Sequence, residues 1–235
     1  MTTPSISPRA AEHRPVELSG GHYSAPRAEL LPLVPSSATR VLDVGCGAGG
    51  FGRSLLAARP AVELWGVEAN PEAAALAAAD YQRVVIGFFP DASSKLPTQY
   101  FDLICFNDVL EHMLDPQSAV GAATAHLAPG GSLFASIPNV RHFSVLWPLL
   151  TRGRWDYADD GLLDRTHVHF FTRVTMVELF ERSGWRIDRV VGINRSRWPE
   201  AGKDTWKTKL ASVVTRGRSD DFFFTQYVLQ ATPAS

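Results

Sequence analysis

The chain has 235 residues, 45% of them apolar, which suits one α/β domain with a modest elaboration. Its 23 basic and 24 acidic side chains leave a formal charge of -1, so there is no long-range field to gather nucleic acid or an anionic membrane. No stretch reaches the ~18 to 20 apolar residues of a membrane span. No basic start followed by an apolar run opens the chain, and two cysteines, Cys46 and Cys105, suit a reducing compartment, so a cytoplasmic protein is expected.

Residues 1 to about 20 carry Pro4, Pro8 and Pro15 among polar side chains and read as a tail too poor in apolar surface to order itself. The rest, 21–235, reads as one domain. A short helix is expected over 27–35, laid across a ligand mouth, with His22 and Tyr23 just before it. Arg40–Val44 is aliphatic and β-branched and reads as a buried strand. It collapses into Gly45, Gly47, Gly49 and Gly50, which permit positive φ and let a ligand approach the backbone. The helical spacing that follows gives a strand, glycine loop and helix, a unit that holds an extended cofactor at the carboxyl end of a parallel sheet.

Which cofactor is a matter of charge. Gly45, Gly47 and Gly50 also satisfy a dinucleotide pattern, and Glu68 follows at the distance of a ribose-binding acid. A pyrophosphate favours a helix N-terminus with no acid nearby, whereas Asp43 sits two residues before the first glycine. S-adenosylmethionine carries an ammonium, a sulfonium and one carboxylate, and tolerates that acid.

Further elements follow in order. A second strand over 62–67 ends at Glu68, and Asn70, Pro71 and Glu72 open a helix as cap, first-turn proline and favourably placed acid. A third strand is expected over 82–87 and a fourth over 101–106, with Asn107 and Asp108 at its tip and His112 just beyond. Asp115 caps the next helix, and the turn at 128–131 leads into a fifth strand over 132–137. Residues 138–172 are too long for an ordinary connection of about 4–6 residues and read as an acceptor lid dense in aromatic and titratable groups. Thr172 caps a helix over 174–182, and strands over 185–191 and 222–229 complete the sheet as an antiparallel edge. Between them, 199–218 is a polar excursion with helix signals; Trp206 there and Trp198 just before it read as surface packing, with an extension of the lid or a homodimer contact as the alternatives.

Four stretches resemble, in order, motifs of class I S-adenosylmethionine-dependent methyltransferases: VLDVGCGAG at 41–49, LWGVEANP at 64–71, YFDLICFNDVLEH at 100–112 and LAPGGSLF at 127–134. The resemblance implies a Rossmann-like α/β fold: a seven-stranded, mostly parallel sheet with an antiparallel last strand and helices on both faces. It implies S-adenosylmethionine as cofactor. Asp43, Gly45, Cys46, Gly47 and Gly49 would hold it at the loop, Glu68 and Ala69 at the ribose, and Asn107 and Asp108 at the methionine end. The family often places an acid after the third strand for the adenine amino group; Phe88 stands there instead, so stacking by Phe88 or Phe89, or a reach by Asp91, is expected. Within the lid, LDRTHVHFFT at 163–172 resembles a bacterial subgroup associated with surface-polysaccharide and glycan assembly.

A sugar hydroxyl needs a general base as the methyl bond forms, and histidine suits that task. The candidates are His112, His142, His167 and His169; His167 is the first choice and His112 the second, with Asp164 orienting an imidazole. No metal is expected, the alternative being a divalent ion on His167 and His169 with Asp164 or Asp160. The acceptor is read as a small molecule or glycan, with no nucleic acid and no membrane span. Alternatives are a phenolic or quinone-like acceptor, a nicotinamide-dependent oxidoreductase, and a cofactor-binding module without catalysis.

Overall fold

The computed structural model describes residues 25–196 and 219–234. The expected tail, His22, Tyr23, Trp198, Trp206 and all of the 199–218 excursion lie outside the described residues. Seven strands form one sheet among those described: β1 (Arg40–Val44), β2 (Glu63–Glu68), β3 (Arg83–Ile86), β4 (Phe101–Asn107), β5 (Leu127–Pro138), β6 (Trp185–Arg195) and β7 (Phe224–Pro233). Their order is β3-β2-β1-β4-β5-β7-β6. β1 pairs in parallel with both β2 and β4, while β7 runs antiparallel to both neighbours. The last strand is therefore the antiparallel one, and it is inserted between β5 and β6 rather than lying at the edge.

The strands are continuous apolar runs because both faces are covered. Successive side chains alternate across the sheet, so Val41, Leu103 and Cys105 pack on one side with Leu55 of the helix after β1, while Leu42, Ile104 and Phe106 pack on the other with Phe180 and Trp185. The covering helices are α1 (Gly50–Ala58), α2 (Pro71–Ala77), α3 (Pro116–Ala123), α4 (Phe143–Arg152) and α5 (Arg173–Arg182).

Three expected caps form. The Asn70 side chain accepts from the amides of Glu72 at 2.9 Å and Ala73 at 3.3 Å, Asp115 accepts from Ser118, and Thr172 exchanges hydrogen bonds with Thr175 in a capping box. Asn70→Ala is expected to cost about 1 kcal/mol of stability, read as a lower urea midpoint with unchanged slope.

The connection at 138–172 differs from a plain lid. It begins with α4, whose interior Pro148 hides the helix from periodicity, because proline removes an amide and usually ends a helix. Here His142 caps its first turn through Ser144, and Gly153 closes it in the left-handed region. Asp221, ahead of β7, ties down the start of this segment: it accepts from Arg141 at 3.0 Å and from the Tyr227 hydroxyl at 2.6 Å, while the Asn139 amide donates to its carbonyl.

Candidate active site

The strand order reverses at β1, with β2 on one side and β4 on the other, so a crevice opens at their carboxyl ends. Register aligns the tips: Val44 lies opposite both Val67 and Phe106. The glycine loop leaves β1 there. Gly45 has φ 71° and its amide donates to the Val67 carbonyl at 2.8 Å; a Cβ at this position would run into the Val109 side chain. Beneath the loop, the buried Tyr81 ring packs where Gly49, Gly52 and Gly66 lack side chains, and its hydroxyl donates to Asp43 at 2.7 Å. Cys46 is buried against Gly66, and burial holds its thiol well above the usual range.

Glu68 ends β2 and is nearly inaccessible. One carboxylate oxygen accepts from the Gly47 amide at 2.9 Å and the other from the Asn70 amide at 2.8 Å. The acid thus braces the loop and the start of α2 together. Ala69 lies between that acid and the cap. Of the two phenylalanines after β3, Phe89 is packed into the core against Phe106 and His126, which corrects its expected place over the adenine. Phe88 is 74% exposed and is the ring of the pair presented to solvent. Asp91 opens a short 3-10 helix and is exposed.

At the end of β4, Asn107 has both side-chain polar atoms buried without a hydrogen-bond partner. Asp108 adopts φ 52° and is held by an ion pair with Arg27 and by Gln226 at 2.7 Å. Arg27 also donates to Ser136 and Gln226, which pins the segment before β1 across the crevice.

The chain leaves β4 through a single 3-10 turn, Leu110–His112. Glu111 is 1% exposed, neither carboxylate oxygen has a partner, and burial pushes its carboxyl up to about 8. Its carbonyl accepts from Val168 at 2.9 Å and His169 at 3.0 Å, docking the lid against this turn. The same docking brings the His112 and His167 rings to 4.7 Å, edge to face. Asp164 is buried and accepts from the amide and hydroxyl of Thr166, so it orders the turn that carries His167. Trp155, Tyr157 and His167 surround Phe170, giving the lid an aromatic wall.

The other two histidines lie elsewhere. His142 is buried, bonded to Ser144 and Ser196, and burial lowers its pKa, so it serves as the cap of α4. His169 turns to the Leu114 carbonyl and lies over Phe171, away from the expected pairing with His167.

A family model described as a methyltransferase domain matches residues 11–190. The chain belongs to the class I S-adenosylmethionine-dependent methyltransferases.

This methyltransferase is 33% identical over 126 residues to a trans-aconitate 2-methyltransferase of Streptomyces avermitilis, a match covering 50% of this chain and 46% of that protein. It is 28% identical over 195 residues to a ubiquinone biosynthesis O-methyltransferase of Xylella fastidiosa, covering 75% of this chain and 73% of that one. It thus spans about half the length of the first relative and about three quarters of the second. In fold it is similar to a SAM-dependent methyltransferase from Archaeoglobus fulgidus, with TM-score 0.65 at 18% identity over 87% of this chain and 91% of that one. The nicotinamide alternative is not favoured by these matches, and no described helix is long and apolar enough to cross a membrane.

The cofactor of the methyltransferase is S-adenosylmethionine, and the crevice suits it. The unpartnered Asn107 amide is placed at the tip of β4, where a polar ligand would satisfy it, and the loop glycines leave the backbone open. Asp43 is buried beside this crevice. Burial, reinforced by the Glu68 carboxylate and opposed by the Tyr81 hydroxyl, pushes its carboxyl up to about 7 from 3.8. Between those values the native protein holds a proton that the unfolded chain has lost. Asp43 therefore contributes a loss of stability in the cofactor-free protein as pH rises from about 4 to about 7, and the buried Glu111 carboxyl extends the decline to about 8. Asp43→Asn should reduce the decline and leave the part due to Glu111, measured as urea midpoints at pH 5 and pH 8.

Two features escaped sequence reasoning. In the sequence Glu111 reads only as part of a strand exit, because nothing in its spacing marks it as buried. Tyr81 carries no signal in the sequence, since the voids it fills are set by glycines on two separate segments, the start of α1 and β2.

Proposed function

We propose that the enzyme methylates a hydroxyl group of a sugar or glycan precursor at the His112–His167 pair. The observation that carries this reading is the docking of the lid on the β4 exit, which sets two imidazoles and a buried carboxylate together at the open end of the sheet. Donor binding is assigned to the loop, to Glu68 and Ala69, to Phe88, and to Asn107 and Asp108. The acceptor oxygen attacks the methyl carbon in line with the sulfur. The O–C bond forms as the S–C bond breaks, the sulfonium becomes a neutral thioether, and an imidazole takes the hydroxyl proton for release to solvent. His167, buried and nearer the aromatic wall, is the first choice for that base.

Polar groups flank the lid aromatics: Asp159 pairs with Arg165, Arg154 with Asp156, and Thr166 stands beside His112. A polyhydroxylated acceptor fits such a mixed wall. A second reading, a phenolic or quinone-like acceptor, draws on the O-methyltransferase relative and on the exposed Trp147 and Leu150 of α4. Formation of S-adenosylhomocysteine with nucleotide sugars and oligosaccharides, against catechols and hydroquinones, tests the choice. Turnover with sugars is expected. Turnover with phenols alone would transfer the assignment to the second reading, and none with either, despite donor binding, would favour a non-catalytic module.

A further inference from the structure

We propose that Glu111, His112 and His167 form a binding site for a divalent transition-metal ion of the zinc type. One ligand atom from each side chain lies within 4.8 Å of the other two. Ligands held at about 2.1 Å by one ion stand ~3 to 4 Å apart, so small side-chain rotations close the set. Among the described residues, Glu111 is the one carboxylate whose oxygens are both buried and without a hydrogen-bond partner. A carboxylate in that position is costly unless it is paired or coordinates a cation.

The backbone holds the three donors together independently of any ion. His112 follows Glu111 in one 3-10 turn, and the two amides after His167 donate to the Glu111 carbonyl, so segments some 56 residues apart are locked at the point where the ligands meet. His112 Nδ1 lies 3.3 Å from the Thr166 carbonyl and 3.1 Å from its hydroxyl. Donation to that carbonyl fixes the tautomer in which Nε2 carries the lone pair, the arrangement usual for a metal-bound imidazole. Asp164, through Thr166, steadies the partner that sets this tautomer.

Two imidazoles and a carboxylate favour a first-row transition ion over magnesium or calcium, which prefer all-oxygen shells. Three protein ligands leave a position for an exogenous oxygen. The role of the ion rests on the reading that the acceptor is a hydroxyl. An ion held by these three residues would lower the pKa of a coordinated acceptor hydroxyl, whose proton would pass to solvent instead of directly to His167.

Chelator-treated full-length protein, saturated with S-adenosylhomocysteine, is titrated with Co²⁺ and followed by its visible absorption, with Zn²⁺ as competitor. One Zn²⁺-displaceable Co²⁺ per chain is expected. Losing a group that merely orients a ligand costs about 10- to 100-fold in metal affinity, so Glu111→Gln, His112→Gln and His167→Ala are each expected to weaken Co²⁺ at least ~100-fold. His169→Gln should bind Co²⁺ like the parent. S-adenosylhomocysteine binding reports folding of each variant. If a buried-site variant loses it, His112→Gln, at an exposed position, carries the test. Absence of Co²⁺ binding in the parent, or equal binding in parent and folded ligand variants, overturns the site. Metal binding as expected without turnover on any hydroxyl acceptor would leave the site standing and remove the acceptor assignment.

Discussion

Replacing Glu68 by Ala is expected to weaken binding of S-adenosylhomocysteine by ~100-fold, about 2.7 kcal/mol, in a chain that stays folded. The carboxylate accepts from the Gly47 and Asn70 amides at 2.9 and 2.8 Å in a nearly inaccessible position. Charge-assisted bonds of this kind contribute about 1.5–3 kcal/mol each, and their loss leaves two donors without a partner. The loop and the first turn of α2 then relax independently, and the proposed ribose contact goes with them. Gly45→Ala should act on the same affinity from the other side. Its φ of 71° is strained for alanine, and the new methyl group meets Val109. Calorimetric titration measures both. Affinity for Glu68→Ala within twofold of the parent would show that the acid braces nothing the donor uses.

His167→Ala is expected to lower kcat by ~100-fold or more with donor affinity nearly unchanged. The imidazole is buried between the His112 ring and Phe170, some distance along the chain from the loop residues proposed to hold the donor. A purely structural part in the lid would raise KM for the acceptor and spare kcat. Loss of kcat with donor affinity intact places the group at the reacting oxygen, whether as base or through a bound ion. His112→Ala is expected to act in the same direction and more weakly under the direct-base reading. An unchanged kcat for His167→Ala would remove it from the mechanism.

The parts of the fold legible in the sequence are those with local causes. Asn70, Asp115 and Thr172 each cap the helix their spacing implies, because a side-chain oxygen next to free amides needs no tertiary help. β1, β2 and β4 could be read as buried runs, and the bend into glycine marked the crevice. What stayed hidden depends on distant packing. α4 contains Pro148 and is stabilised by a histidine cap and by an anchor at Asp221, 82 residues away from Asn139. Phe88 and Phe89 are indistinguishable by composition, yet only the backbone path after β3 decides that one ring enters the core. His167 and His169 would share a face in a strand; the segment is instead irregular, which sends His169 to Leu114 and His167 to His112.

Tyr81 reaches under the glycine loop from the turn between α2 and β3, wedged where three glycines make room. The loop therefore rests on an internal scaffold before any donor arrives, and much of the ordering that a bare glycine segment would suffer on docking has already been met during folding. The flexibility usually credited to such a sequence goes into shape rather than motion, which makes the proposed receptor for the methyl donor a pre-cast one.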